Sequence, residues 1–120
     1  MTRRNQPEAA LQHSVIQHLT WRARPGAFFF YLPLGGYRTC VEGAILKAIG
    51  TVAGVPDIIC IFQGRVYALE LKAGRGRLTD VQRVVQERLR EAGANVAITH
   101  GIDHALRVLE GWGLLRGDSS

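Results

Sequence analysis

The sequence is poor in cysteine and has no apolar run long enough to cross a membrane. Its two cysteines, Cys40 and Cys60, make neither a disulfide framework nor a zinc site. A membrane-spanning helix needs about 20 consecutive apolar residues. The first ten residues, MTRRNQPEAA, contain no apolar signal segment. We therefore expect a protein without a membrane partner, located in the cytoplasm.

The composition is that of one globular domain with a basic surface. A chain of 120 residues that is 47% hydrophobic predicts a single domain spanning 1–120 with a real core. The formal net charge of +5 suits a polyanionic partner such as nucleic acid. Most of the positive charge is arginine, which makes bidentate phosphate contacts. A basic surface without such a partner is the alternative.

Hydrophobic periodicity and turn residues predict an α/β fold with a mixed central β-sheet flanked by helices. The pair Gln63-Gly64 is typical of a two-residue β-hairpin turn. The predicted helices span 7–24, 41–49, 79–92 and 102–115, and the predicted strands span 28–33, 57–62, 65–72 and 95–99.

Three charged residues lie within the two strands of the predicted hairpin. If the chain turns at Gln63-Gly64, Asp57 faces Glu70 with Cβ atoms about 4.5–5.5 Å apart. Lys72 lies two residues beyond Glu70 and therefore on the same face of the sheet. A register shift of one residue would separate the three side chains.

Opposed carboxylates on a half-buried sheet repel each other, which raises the pKa of at least one of them. A divalent cation such as Mg²⁺ or Mn²⁺ would relieve this repulsion, since both prefer oxygen ligands. Lys72 would then position or help deprotonate an attacking water and stabilise developing negative charge. The alternative is a structural salt bridge between Lys72 and either Asp57 or Glu70.

The motif formed by Pro56-Asp57 and Glu70-Leu71-Lys72 resembles that of the PD-(D/E)xK nuclease superfamily, which has the restriction-endonuclease-like fold. The longer segments IGTVAGVPDIICIF and ALELKAGRGRLTDVQ are similar to the VRR-NUC family within that superfamily. The similarity extends from the first helix to the strand that ends near Thr99.

The resemblance implies metal-dependent hydrolysis of DNA phosphodiester bonds, in several members on four-way (Holliday) junctions or flaps. Small stand-alone members occur in bacteria and phages and are often homodimers, which places this chain in a bacterial or phage-infected cell. Asp57 and Glu70 would ligate the metal, and Lys72 would be the catalytic lysine. Gln82 would match the family's glutamine on the following helix, and Glu8 the acidic residue on the first helix.

Two of these residues also have local explanations. Glu8 falls within the apolar stripe of the first helix, beside Leu11 and Val15, where a carboxylate needs a partner. The same position in the first helical turn is favourable for any carboxylate. Gln82 completes a Thr79-x-x-Gln82 capping box, so it could cap its own helix instead of serving the site.

The predicted DNA contacts follow from charge and position. Arg75 and Arg77 flank Gly76 directly after Lys72, where they would contact phosphates or simply lie in a solvated turn. Arg38 in the LGGYR loop and Lys47 on the helix before Pro-Asp are further candidates. A DNA-binding accessory module without catalysis would use the same basic surface.

The remaining predictions concern packing. His100 and His104 have the i, i+4 spacing of metal ligands on a helix, but Gly101 separates them, and all four histidines are expected in surface or structural roles. Gln86, one turn beyond Gln82, is expected to line the same groove or to be plain surface. The expected buried stripe of the third predicted helix is formed by Val81, Val84, Val85, Leu89 and Ala92.

Overall fold

A computed structural model of the protein describes residues 6–32, 50 and 52–117. Within these ranges the helices and strands follow one another in the predicted order. The elements are α1 (Gln6–Arg22), β1 (Phe28–Tyr31), β2 (Ile58–Phe62), β3 (Arg65–Lys72), α2 (Asp80–Glu91), β4 (Asn95–His100) and α3 (Ile102–Gly111). The predicted helix 41–49 lies outside the described residues.

The strands form one mixed sheet in the order β1-β2-β3-β4. The first three strands are antiparallel neighbours, and β4 runs parallel to β3 after the chain has crossed over through α2. A parallel pair requires such a crossover, whereas an antiparallel pair needs only a turn. The predicted mixed α/β architecture is confirmed.

The β2–β3 hairpin has the register that its turn predicts. The turn is Gln63-Gly64, with positive φ angles of 53° and 77°, as a type I′ turn requires. Ile58 pairs with Leu69. Asp57, immediately before Ile58, therefore comes opposite Glu70 at the end of the hairpin away from the turn.

The hydrophobic core lies on one face of the sheet, against α1 and α3. Cys60 belongs to this core, where burial raises the pKa of its thiol to about 12 and makes it an inert hydrophobic residue. The hairpin contributes its apolar face to this core. The buried core side chains include Val15, Leu19, Ile58, Cys60, Tyr67, Leu69, Leu71, Ala105, Leu109, Leu114 and Leu115.

Two predicted helix ends extend too far, for one shared reason. α1 ends at Arg22, and Ala23 forms an isolated antiparallel bridge with Leu115. α3 ends at Gly111, and the following Gly113 has a φ of 79°. The segment after α3 thus pairs with the end of α1 instead of extending the helix, which buries Leu115.

The predicted buried stripe of α2 is wrong. Val81 and Val84 are 53% and 58% exposed, whereas Gln86 is only 1% exposed. Val85 and Leu89 are half-buried. The helix therefore presents its Gln82–Gln86 side to the sheet, because hydrogen bonds to charged residues on β3 fix its rotation.

None of the described helices is both long and apolar enough to span a bilayer. The candidate DNA contacts Arg38 and Lys47 lie outside the described residues.

Candidate active site

Asp57 is held at the entrance to β2 by hydrogen bonds through its backbone and its side chain. Its carbonyl oxygen accepts from the Leu32 N–H over 2.9 Å. Its carboxylate Oδ2 accepts from the Leu71 N–H over 2.8 Å, which ties the side chain to β3. The carboxylate thus lies beside the strand that carries Glu70 and Lys72.

A glycine sets how closely this entrance approaches α2. Gly54 has a φ of 84°, and a Cβ placed there would lie 2.8 Å from Val81 Cγ1 and 2.9 Å from Val81 O. Real Cβ atoms do not approach that closely. Gly54 therefore lets the chain before Asp57 pack directly against the first turn of α2.

Glu70 is a buried carboxylate beside a second carboxylate. It is 2% exposed. Burial and the charge of Asp57 raise the pKa of Glu70 to about 8, against the opposing influence of Lys72. Burial also raises the pKa of Asp57, and the charge of Glu8 adds to this, whereas the Leu71 N–H and Lys72 oppose it. The predicted juxtaposition and its electrostatic strain are both present.

Lys72 contacts the same site from the end of β3. Its Nζ lies 3.6 Å from Glu70 Oε2 and donates to Gln82 Oε1 over 3.1 Å. The alternative salt bridge is therefore present, but one lysine cannot neutralise two carboxylates. The Oε1 atom of Glu70 is buried and has no hydrogen-bond partner within the described part of the chain.

Gln82 serves the helix cap and the site at once. Its Oε1 accepts from the Thr79 N–H over 2.9 Å, and its backbone N–H donates to Thr79 Oγ1 over 3.1 Å, which completes the predicted capping box. Its Nε2 donates to Glu70 Oε2 over 3.2 Å. The two predicted roles do not compete, because Oε1 accepts from both Thr79 and Lys72.

Glu8 lies near the two carboxylates without joining them in one ligand set. It is half-buried on α1, and its charge contributes to the raised pKa values of Asp57 and Glu70. Within 6–32, 50 and 52–117, no three His, Cys, Asp or Glu side chains are grouped closely enough to hold one ion. The role of Glu8 as a ligand stays a prediction.

The donor set at Asp57 and Glu70 fits a hard divalent cation. Both side chains supply oxygen, one of their oxygens is buried and unpartnered, and their mutual repulsion is relieved by positive charge. Mg²⁺ commonly takes one or two protein carboxylates and fills its other positions with water and phosphate oxygens. Two carboxylates are therefore a sufficient protein contribution for Mg²⁺ or Mn²⁺.

The predicted basic loop follows Lys72 directly. Arg75 and Arg77 are exposed, and the turn that holds them is closed by a 3.1 Å hydrogen bond from the Gly76 N–H to Ala73 O. The two arginines therefore lie within a few residues of the carboxylates.

Sequence reasoning missed the contact made by His100. Its Nε2 lies 2.8 Å from the carbonyl oxygen of Gly76 in the basic loop. The two residues are 24 positions apart, and no local motif links them. His100 follows directly after the predicted strand 95–99, but nothing in the sequence indicated which strand that one would pair with.

Known proteins resemble this chain in their three-dimensional structure. No protein-family model and no curated protein sequence matches the chain. A solved structure named "VRR_NUC domain protein" is similar, with a TM-score of 0.65 and 25% identity over 86% of this chain and 84% of that chain. The chain has the VRR-NUC fold. The predicted resemblance and the restriction-endonuclease-like architecture are confirmed.

A second solved structure agrees with this VRR-NUC assignment. It is named "VRR_NUC domain", with a TM-score of 0.62 and 20% identity over 88% of this chain and 97% of that chain. At this lower identity the likeness concerns the fold alone. The first neighbour suggests a nuclease-type domain.

Proposed function

We propose that this VRR-NUC domain is a DNA endonuclease that hydrolyses phosphodiester bonds with the help of Mg²⁺ or Mn²⁺. The observation that carries the proposal is that the buried Glu70 lies opposite the half-buried Asp57, with Lys72 as the cation paired with Glu70. A site built only for stability would not need two opposed carboxylates with an unpartnered buried oxygen. The names of the structural neighbours support the nuclease class, and the formal net charge of +5 suits DNA as the partner.

Each residue of the site then has a chemical role. When bound to Asp57 and Glu70, the metal ion would supply Lewis-acid stabilisation of the charge that develops during phosphodiester hydrolysis. Lys72 Nζ would orient the attacking water and stabilise negative charge on the phosphate oxygens. Gln82 would hold Glu70 and Lys72 in position through its two hydrogen bonds.

Substrate contacts extend outward from these residues. Arg75 and Arg77 would bind phosphates on the strand that enters the site. Arg38 and Lys47 are proposed as additional DNA contacts from sequence alone. Glu8, whose charge acts on both carboxylates, is proposed as a third metal ligand.

We further propose selectivity for branched DNA, namely four-way junctions or flaps, by a homodimer. A small domain offers limited surface for gripping a duplex, and a symmetric dimer would present two sites to two strands. Light scattering at the working concentration tests the dimer, and a monomer mass would overturn it.

A DNA-binding accessory module without catalysis is the second candidate. It is favoured by the Lys72–Glu70 ion pair, because a lysine paired with a buried carboxylate is also what a purely structural charge cluster contains. This candidate predicts that DNA affinity survives both the removal of metal and the loss of Asp57.

Cleavage of labelled nucleic acids tests the two candidates directly. The substrates are linear duplex, single strand, flap, four-way junction and an RNA duplex, each with Mg²⁺, Mn²⁺ or EDTA. Asp57→Ala and Lys72→Ala are compared with the wild type, and Asp103→Ala, an exposed carboxylate on α3, is the matched control.

The proposed nuclease requires metal-dependent cutting that Asp57→Ala and Lys72→Ala abolish and Asp103→Ala leaves intact. Preference for flap or junction over linear duplex would support the branched substrate. Binding without cutting under every metal condition would favour the accessory module.

A further inference from the structure

The basic loop after Lys72 is tied to the neighbouring strand by a histidine. His100 is the last residue of β4 and is paired in register with Lys72. Its Nε2 lies 2.8 Å from the carbonyl oxygen of Gly76. A carbonyl oxygen only accepts hydrogen bonds, so the His100 Nε2 carries a proton and donates it.

Gly76 is also confined from its other side. A Cβ on Gly76 would lie 3.3 Å from the Lys72 Cδ, so the loop backbone rests against the lysine side chain. The Gly76 N–H closes the loop by donating to Ala73 O over 3.1 Å. Gly76 is thus the point at which the loop between Arg75 and Arg77 is anchored.

The backbone of His100 is itself held by hydrogen bonds. The His100 N–H donates to His104 Nδ1 over 3.1 Å, and the two rings are stacked with centroids 6.4 Å apart. The Gly101 N–H donates to Lys72 O over 3.1 Å, which joins the ends of β4 and β3. The imidazole therefore extends to the loop from a backbone that several hydrogen bonds hold.

We propose that His100 is a positioning residue for DNA binding, whose Nε2–H holds the loop so that Arg75 and Arg77 meet the phosphates of the strand entering the site. This inference rests on the proposed function. A flexible loop loses conformational entropy when its arginines engage phosphate, and a loop already tied at Gly76 loses less. Loss of the His100 hydrogen bond should therefore change the affinity for DNA more than the rate of the chemical step.

The test compares His100→Ala with His100→Gln, in which the Gln side-chain N–H replaces the imidazole donor. His13→Ala, an exposed histidine on α1, is the matched control. Binding of a fluorescein-labelled four-way junction and a labelled linear duplex is measured by anisotropy in EDTA, so cleavage does not interfere. Amide hydrogen exchange of residues 73–78 is measured in the same proteins without DNA.

We expect His100→Ala to bind about three- to tenfold more weakly, as the loss of one hydrogen bond implies. His100→Gln should remain within about twofold of the wild type, and exchange in the loop should be faster only in His100→Ala. In a background lacking Arg75 and Arg77 side chains, His100→Ala should cause no further loss, because the positioned groups are gone.

Three results would overturn the inference alone. The first is that His100→Ala keeps the wild-type DNA affinity or the wild-type rate of loop exchange. The second is that His100→Gln loses as much DNA affinity as His100→Ala. The third is that His100→Ala weakens binding just as much when the side chains of Arg75 and Arg77 are already absent. A wild-type protein that binds neither DNA would instead overturn the proposed function, and this inference would fall with it.

Discussion

The side-chain amide of Gln82 donates a hydrogen bond over 3.2 Å to Glu70 Oε2. The first turn of α2 and the end of β3 are therefore coupled through a single side chain. That coupling explains why α2 turns a glutamine face to the sheet and leaves Val81 and Val84 exposed. The contribution of Gln82 to the helix cap can be separated experimentally from its contacts in the active site.

Gln82→Ala should lose activity and stability together, whereas Thr79→Ala should lose stability alone. Removal of the Thr79 hydroxyl costs about 1 kcal/mol, the usual value for an N-cap. Gln82→Ala removes the other half of the capping box and also frees Lys72 and Glu70, so we expect the cleavage rate to fall at least tenfold. Urea unfolding and single-turnover cleavage measure the two effects. Equal activity in both variants would contradict the positioning role of Gln82.

Asp57→Asn should separate the charge of Asp57 from its hydrogen bond. The amide oxygen of Asn can still accept from the Leu71 N–H, while the repulsion with Glu70 disappears. We expect Asp57→Asn to be at least as stable as the wild type in EDTA and to lose stabilisation by Mn²⁺.

Asp57→Ala is the comparison for that experiment. It leaves the Leu71 N–H without its partner, which costs about 1–3 kcal/mol when the donor is buried. Thermal unfolding of the wild type and both variants, with and without Mn²⁺, measures all six stabilities. Undiminished stabilisation of Asp57→Asn by Mn²⁺ would show that the ion binds elsewhere.

The metal-free protein should become less stable as the pH rises from about 4.5 to about 8. Folding raises the pKa of Glu70 from 4.5 to about 8, so the folded state binds more protons in this window. The stabilisation from the neutral carboxyl is complete below the unfolded pKa and is lost as the pH rises through the folded pKa. One such proton changes the free energy of unfolding by up to about 1.4 kcal/mol per pH unit.

Glu70→Gln provides the control, because an amide does not titrate. Its stability in EDTA should vary less steeply across the same pH range, measured by urea unfolding at several pH values. Stabilisation of the wild type by Mg²⁺ should grow with pH over this range, since a proton and the metal ion compete for the carboxylates. A wild-type curve as flat as that of Glu70→Gln would contradict the raised pKa.

Gly54→Ala should destabilise the fold more than Gly93→Ala does. Both glycines have positive φ angles, 84° and 101°, so alanine is strained at either position by roughly 1–2 kcal/mol. Only at Gly54 would the new Cβ collide with Val81, whereas at Gly93 nothing lies within 4 Å. We expect an additional loss of about 1–3 kcal/mol from that overpacking. Equal losses in urea unfolding would contradict the close approach.

The hairpin and its charges were predictable because local rules decide them. A two-residue turn fixes the pairing of β2 with β3, and side chains alternate along a strand, so the positions of Asp57, Glu70 and Lys72 follow. The capping box at Thr79 was also readable, since its partners lie three residues apart.

Tertiary contacts decided the features that sequence could not give. The apolar periodicity of α2 indicated a buried valine stripe, but polar contacts to β3 rotated the helix toward Gln82 and Gln86. The end of α3 depends on pairing between Ala23 and Leu115, which no local sequence pattern predicts. The hydrogen bond between His100 and Gly76 also joins residues far apart in sequence, so local patterns do not predict it.

The turn at Gln63-Gly64 lies at the far end of the hairpin from the carboxylates. Five residue pairs separate the two ends, or about 17 Å of strand at the usual rise. Both turn residues are exposed. A fluorophore attached to the side chain at position 63 would keep the two-residue turn, and would therefore report on the protein's docking to DNA while leaving the chemistry at the opposite end undisturbed.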